Sequence, residues 1–268
     1  MSQGLLAGKR GVVFGVANDK SIAWGCAQAC AAQGASMAFN YLGDALEKRV
    51  RKLVDEFLPG SPILNCNVQK DDEISQFFAD LRKEWDSIDF LIHSVAFADR
   101  EDLKDQYITT PRANFALALD ISAYSLVALA REAAPMMTNG GSIVAMTYYG
   151  SEKVVPRYNV MGVAKAALEC SARYLATDLG PKNIRVNCIS AGPIRTLSAS
   201  AIAGMRSMLT VAEKVAPLRR NVTQDDVGRS TVYLLSDLSS AVTGEVIHVD
   251  SGYHTVGLFG IDSAPASE

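Results

Sequence analysis

Short, almost wholly apolar runs alternate along this chain with longer segments whose apolar residues recur every three or four positions. The first kind of run marks a strand buried on both faces and the second an amphipathic helix. Strands are predicted at Gly11–Gly15, Ser36–Tyr41, Ile63–Cys66, Ile88–His93, Ser142–Thr147, Ile184–Ser190 and Glu245–Val249. Helices are predicted from Ser21 to Gly34, over Ala45–Phe57 and Glu73–Trp85, from about Asn114 to Met137, and over Asn159–Leu179 and Asp225–Leu235. Strict alternation of this kind implies an α/β protein: a doubly wound parallel sheet with helices on both faces.

That arrangement is the Rossmann-type fold, and no Pro/Gly/Ser-rich linker or charge block divides the chain. We therefore expect a single dinucleotide-binding and catalytic domain over residues 1–268, with its core at about 6–254 and a loose tail at about 262–268. Hydrophobic residues make up 49% and charged residues 21%, an ordinary globular balance, and the net charge of −3 offers no field for gripping nucleic acid or an anionic membrane. Neither partner is expected. The apolar stretch Phe115–Ala130 is broken by Asp120 and Ser122 and reads as too short to span a bilayer. The five cysteines are odd in number with no C-x-x-C pair, and Cys26 and Cys30 read as small buried thiols. With no export signal in the first residues, a cytoplasmic protein is the expectation.

Chemistry enters at two places. The loop Gly15–Gly25 follows the first strand, where a doubly wound sheet presents backbone N–H groups and a positive helix end to a pyrophosphate. Gly15 lets the chain turn, and Ser21 is expected to cap the helix while offering its hydroxyl to a phosphate. G-x-G-x-x-G is absent, so this loop also reads as an ordinary strand-to-helix turn. The second place is Tyr158–Lys165, where seven residues are nearly two helical turns and put phenol and ammonium on almost the same face. A neighbouring ammonium favours the phenolate and strengthens the phenol as a donor to a developing enolate. The same spacing also fits the plain edge of an amphipathic helix.

Four separated motifs occur in order: Gly15-Val16-Ala17 with Ser21-Ile22-Ala23, His93-Ser94-Val95-Ala96-Phe97-Ala98, Tyr158-Asn159-Val160-Met161-Gly162 with Lys165, and Ser190-Ala191-Gly192-Pro193-Ile194-Arg195-Thr196-Leu197. Together they resemble the bacterial enoyl-acyl-carrier-protein reductases of the short-chain dehydrogenase superfamily, from about Leu6 to His254. Ordinary members of that superfamily place lysine four residues after tyrosine; here that position is Gly162, and the longer spacing points to the enoyl reductase branch. The resemblance implies NADH-dependent reduction of trans-2-enoyl thioesters on acyl carrier protein in fatty-acid elongation, by a homo-oligomer that by likeness alone is a tetramer.

By the same resemblance Tyr158 hydrogen-bonds the thioester oxygen, Lys165 holds the cofactor ribose, and Tyr148 is a second tyrosine of the site. Gly15, Ser21 and Ile22 are implied for the pyrophosphate, Leu42 for the adenosine ribose, Asn67 and Val68 for the adenine, and Val95 for the adjacent ribose. Ile194, Arg195, Thr196, Leu197 and Ser198 are implied for the carboxamide and phosphates, Ala98 for substrate, and the stretch onward to about Leu209 for a cover over the acyl pocket. The chain departs from the family pattern at Asn67, commonly Asp; at Leu42, commonly polar or basic; and at Ala96, commonly Gly. Leu42 leaves no acid for a 2′-hydroxyl and no arginine for a 2′-phosphate, so NAD is favoured over NADP by absence of cations only.

His93 ends a buried strand and reads as structural, and His248 and His254 have no partner at metal-ligand spacing, so no metal is assigned. The helices near Asn114–Met137 and Ala164–Ala176 carry small apolar residues over more of their circumference than one sheet covers, which fits the oligomer. Two other readings stay open: a carbonyl or hydroxyl oxidoreductase of the wider superfamily, and a dinucleotide-binding regulator without turnover.

Overall fold

The computed structural model describes residues 4–104, 106–196 and 205–257, the last span without the side chains of Met205 and Arg206. Seven parallel strands form one sheet in the order β3-β2-β1-β4-β5-β6-β7. They are β1 (Arg10–Phe14), β2 (Ser36–Tyr41), β3 (Ile63–Asn65), β4 (Phe90–His93), β5 (Gly141–Thr147), β6 (Ile184–Ala191) and β7 (Val246–Val249). The helices are α1 (Ile22–Ala32), α2 (Gly43–Phe57), α3 (Asp71–Glu84), α4 (Arg112–Leu119), α5 (Ser125–Ala133), α6 (Asn159–Leu179), α7 (Met205–Val215) and α8 (Gln224–Leu235).

Successive strand residues point to opposite faces, and the central strands divide their side chains accordingly. Val12, Phe14, Leu91, Ile143 and Val186 join a core with α3, α5 and α6, whereas Val13, Ile92, Val144 and Ile189 join a second core with α1, α2 and α8. Both cores need apolar residues, which is why these strands show no polar alternation. The chain order reverses between β1 and β4, so the carboxyl ends of those strands open a crevice rather than being bridged by a connection.

Every predicted strand and helix is present, with shifts at the ends. Gly15 leaves β1 with φ of 106°, and α3 begins two residues early because Asp71, Asp72 and Glu73 suit the positive end of a helix. The single helix expected from Asn114 is instead α4 and α5 joined by a π-helical turn at Asp120–Tyr124. Contrary to expectation, Asp120 and Ser122 do not cut this element short: the continuous helical run Arg112–Met136 has 25 residues and is long and apolar enough to cross a membrane by length and composition. In this fold it is a core helix, with Leu126 and Leu129 fully buried. Helix α7 was not anticipated as an element. Leu197, Ser198, most of the stretch expected to cover the acyl pocket, and the expected tail at 262–268 lie outside the described residues.

Helix α8 packs beside α1 and begins with a capping box, in which Thr223 and Asp226 exchange side-chain-to-backbone hydrogen bonds. Arg220 forks onto the Asp226 carboxylate at 2.7 and 2.9 Å and, as the largest cause, holds its pKa well below the usual range. Thr223→Ala is expected to cost roughly 0.5–2 kcal/mol, read as a lowered urea midpoint. The contribution of the Asp226 charge is present above about pH 4, the carboxylate's unfolded value, and is lost as pH falls below it.

Candidate active site

The crevice is built first by the loop after β1. A side chain at position 15 would place its Cβ 2.2 Å from the Ser94 carbonyl oxygen, and φ is positive there, so only glycine fits. The Gly15 N–H donates to Asn40 Oδ1 at 3.1 Å, and Asn40 Nδ2 reaches the Cys66 carbonyl, tying this loop to β2 and the end of β3. Ser21 occupies the N-cap position of α1 but does not cap it, which corrects the expectation. Its hydroxyl turns back to accept the N–H groups of Ala17 at 3.0 Å and Asn18 at 3.1 Å, so its work is to fold the loop.

The other wall comes from β5 and α6. Tyr158 sits at the N-cap of α6 and is 7% exposed; its ring meets Tyr148 edge-on with centroids 4.8 Å apart. Lys165 is 5% exposed and donates from Nζ to the Met146 carbonyl at 2.7 Å. Gly162 explains why no lysine stands at the shorter spacing: a Cβ there would lie 2.6 Å from the Gly150 carbonyl oxygen. The helix is pressed against the segment that follows Tyr148 and leaves no room for a side chain.

Between these walls lies a cleft of about 480 Å³. It brings together Gly15, Ser21, Ile22, Ala98, Tyr148, Tyr158, Lys165, Ile194 and Thr196 of the anticipated residues. The remainder stand apart from it. Leu42 is exposed at the start of α2, Arg195 is exposed, Val95 packs against the core between two cleft residues, and Val68 is buried in the core. Asn67 spends its side-chain oxygen on the Gln69 N–H at 3.1 Å.

Burial, then Tyr148 and then Glu169, push the Tyr158 pKa upward. The expected ionising effect of Lys165 on the phenol is therefore overturned: desolvation dominates, and the ammonium is turned to a backbone carbonyl. Tyr158 is thus a neutral donor at ordinary pH. Tyr148 is pushed up by burial as well, and burial lowers Lys165 to about 8. His93 is structural as expected, sharing a 2.8 Å hydrogen bond with Ser125. His248 and His254 stack with centroids 3.8 Å apart and bond Glu152 and Asp250, and among the described residues no group of three or more suitable side chains could hold a metal.

Sequence reasoning missed Asn40, Ser122 and Glu169. Asn40 carried a signal, as an amide in an otherwise apolar strand. Ser122 did not, because only the π-helical turn aims its hydroxyl at Phe97, whose N–H it accepts at 3.0 Å and whose carbonyl it bonds at 3.1 Å. That bond holds the cleft wall formed by Ala96, Phe97 and Ala98.

Fold and site define a nucleotide-crevice α/β protein with a tyrosine and a lysine on one helix facing the crevice. A family model described as enoyl-(acyl carrier protein) reductase matches residues 15–254. The enoyl-(acyl-carrier-protein) reductase (NADH) 1 of Rhizobium meliloti (strain 1021) is 54% identical over 269 residues, covering 99% of this chain and 97% of its own length. A crystal structure of the enoyl-(acyl-carrier-protein) reductase of Anaplasma phagocytophilum in complex with NAD superposes with a TM-score of 0.92 at 49% identity, covering 99% of each chain. The Bacillus cereus enoyl-acyl carrier protein reductase, solved with NADP+ and an indole naphthyridinone, gives 0.94 at 52% identity over 95% of this chain and 100% of its own. The chain belongs to the enoyl-(acyl carrier protein) reductase family.

Burial holds the His93 pKa down at about 3, with Lys165 as the next cause, against an unfolded value near ~6.5. The unfolded chain therefore binds the extra proton first, so this contribution to stability is complete above about pH 6.5 and is lost as pH falls toward 3. Urea midpoints measured across that window should fall less steeply in His93→Gln than in the parent protein.

Proposed function

We propose that this chain is an NADH-dependent enoyl-acyl-carrier-protein reductase that converts trans-2-enoyl thioesters to saturated acyl thioesters, with Tyr158, Lys165 and Tyr148 as its working side chains. The observation that supports these roles is that Tyr158 and Lys165, almost two turns apart on α6, line one cleft with Gly15 and Ile22. The cleft suits a dinucleotide. Its loop closes on a glycine that no side chain could replace, Ser21 and Ile22 at the start of α1 line it, and Lys165 keeps two of its three donors after bonding Met146.

Bound NADH supplies the hydride that adds to the β-carbon of the enoyl group. The electron pair of the double bond then moves toward the thioester, and negative charge collects on the thioester oxygen. Tyr158, kept neutral by burial and set edge-on against the Tyr148 ring, donates a hydrogen bond to that oxygen. A proton from solvent, taken up at the α-carbon, completes the reduction. Lys165 holds the ribose hydroxyls and so orients the nicotinamide. Tyr148 shapes the substrate side of Tyr158, and Ala98 borders the acyl group. Ile194 and Thr196 line the cofactor side, and Leu42 presents neither acid nor cation to an adenosine ribose.

The partner is acyl carrier protein, and the protein works as a homo-oligomer in the cytoplasm. Supporting the oligomer, Ala118 is the one fully buried residue of α4, while Phe115, Leu117 and Leu119 stay partly open beside α6. Supporting a reducing compartment, Cys26, Cys30, Cys66, Cys170 and Cys188 are all free thiols.

Absorbance of NADH followed with crotonyl and longer enoyl thioesters, and separately with ketoacyl thioesters, tests the activity. Consumption with enoyl substrates is expected; consumption with the keto substrate alone would reject the reading, and binding without consumption would favour a regulator. Tyr158→Phe should lower kcat by roughly 10²-fold or more and leave the NADH Kd nearly unchanged, whereas Lys165→Ala should weaken NADH binding as well.

A further inference from the structure

We propose that Glu169 is a positioning residue for this reaction: its carboxylate, one turn beyond Lys165 on the same face of α6, balances the buried ammonium while both side chains grip consecutive residues of β5. The inference rests on the role of Lys165 given above. Lys165 Nζ donates to the Met146 carbonyl at 2.7 Å, and the Thr147 hydroxyl donates to Glu169 Oε1 at 2.5 Å. Met146 and Thr147 line the cleft, and Tyr148 follows them directly. The two side chains thus fix the end of β5 at the point where it delivers a tyrosine to the site.

Both side chains are almost wholly withdrawn from solvent. Lys165 and Glu169 are 5% and 7% exposed, and Ala164, Leu168 and Ala172 around them on α6 are buried in or beside the core. A lone ammonium in such a place would shed its proton. The titratable groups facing the lysine from other elements are Cys188 on β6 and His93 on β4, and those acting on or near the pair along α6 are Tyr158 and Arg173. Burial raises the Cys188 thiol to about 12 and lowers His93 to about 3, so both are uncharged where the lysine titrates. Arg173 is a cation and exposed. Against burial, Cys188 and then Glu169 favour the protonated lysine; Cys188 is a neutral thiol there, which leaves Glu169 as the carboxylate among these groups.

A polar core residue that merely braces Thr147 would look similar, so the test separates charge from hydrogen bonding. Glu169→Gln keeps the shape and an acceptor for Thr147 but removes the charge; Glu169→Asp keeps the charge. For a lysine titrating near 8, a downward shift of about one pH unit predicts NADH affinity nearly unchanged at pH 6 and about fivefold weaker at pH 8 in E169Q. E169D should follow the parent at both values, and the alkaline limb of kcat/KM should move with the affinity. An alkaline limb unmoved in folded E169Q would overturn the proposal. Failure of the parent protein to bind NADH or reduce enoyl thioesters would instead overturn the functional reading beneath it. If E169Q does not fold, the double variant K165M/E169Q decides: recovery of folding shows that the uncompensated lysine was the fault, and a double variant equally unfolded shows that Glu169 serves the core independently of the lysine.

Discussion

A buried ammonium is the constraint on which this site depends. Lys165 lines the cleft almost wholly out of solvent, and burial weakens its hold on its proton. The fold resolves that conflict locally, with a strand-end carbonyl as acceptor and a carboxylate one turn away on the same helix. Because both contacts fall on the last residues of β5, the demands of one side chain also determine where Tyr148 emerges. Tyr158, at the start of the same helix, is then set against Tyr148 by an edge-on ring contact. Catalytic geometry and strand-to-helix packing are in this sense one problem.

The sheet supplies the frame. Its two cores hold β1, β4, β5 and β6 in register with apolar residues on both faces, and the cleft forms at their carboxyl ends. The reversal between β1 and β4 opens the crevice there. Gly15 and Gly162 serve the same end by different means: one permits a turn beneath the Ser94 carbonyl, and the other lets α6 approach the Gly150 carbonyl. That second approach also brings the Gly150 segment against the Tyr158 ring.

Much of this was legible in the residues. Nearly unbroken apolar runs located all seven strands, because buried parallel strands tolerate little else. The seven-residue interval from Tyr158 to Lys165 placed both on one face of a helix, and the cleft contains both. What escaped the reading depends on contacts between distant segments. The Ser21 hydroxyl obeys the loop rather than the helix, the phenol of Tyr158 answers to burial rather than to the lysine, and Glu169 matters only once β5 lies beside α6. The π-helical turn that aims Ser122 at Phe97 has no distinct periodicity to betray it. Helix ends moved for local reasons, as where three acids drew the start of α3 forward.

The central claim is that Tyr158 and Lys165 converge on one bound dinucleotide and one unsaturated acyl group. A crystal structure of the protein with NADH and a non-reducible acyl thioester tests it most directly. The account predicts Lys165 Nζ within about 3 Å of a nicotinamide ribose hydroxyl and Tyr158 Oη within about 3 Å of the thioester oxygen. A nicotinamide ring seated away from α6, with both side chains in their ligand-free contacts, would contradict it.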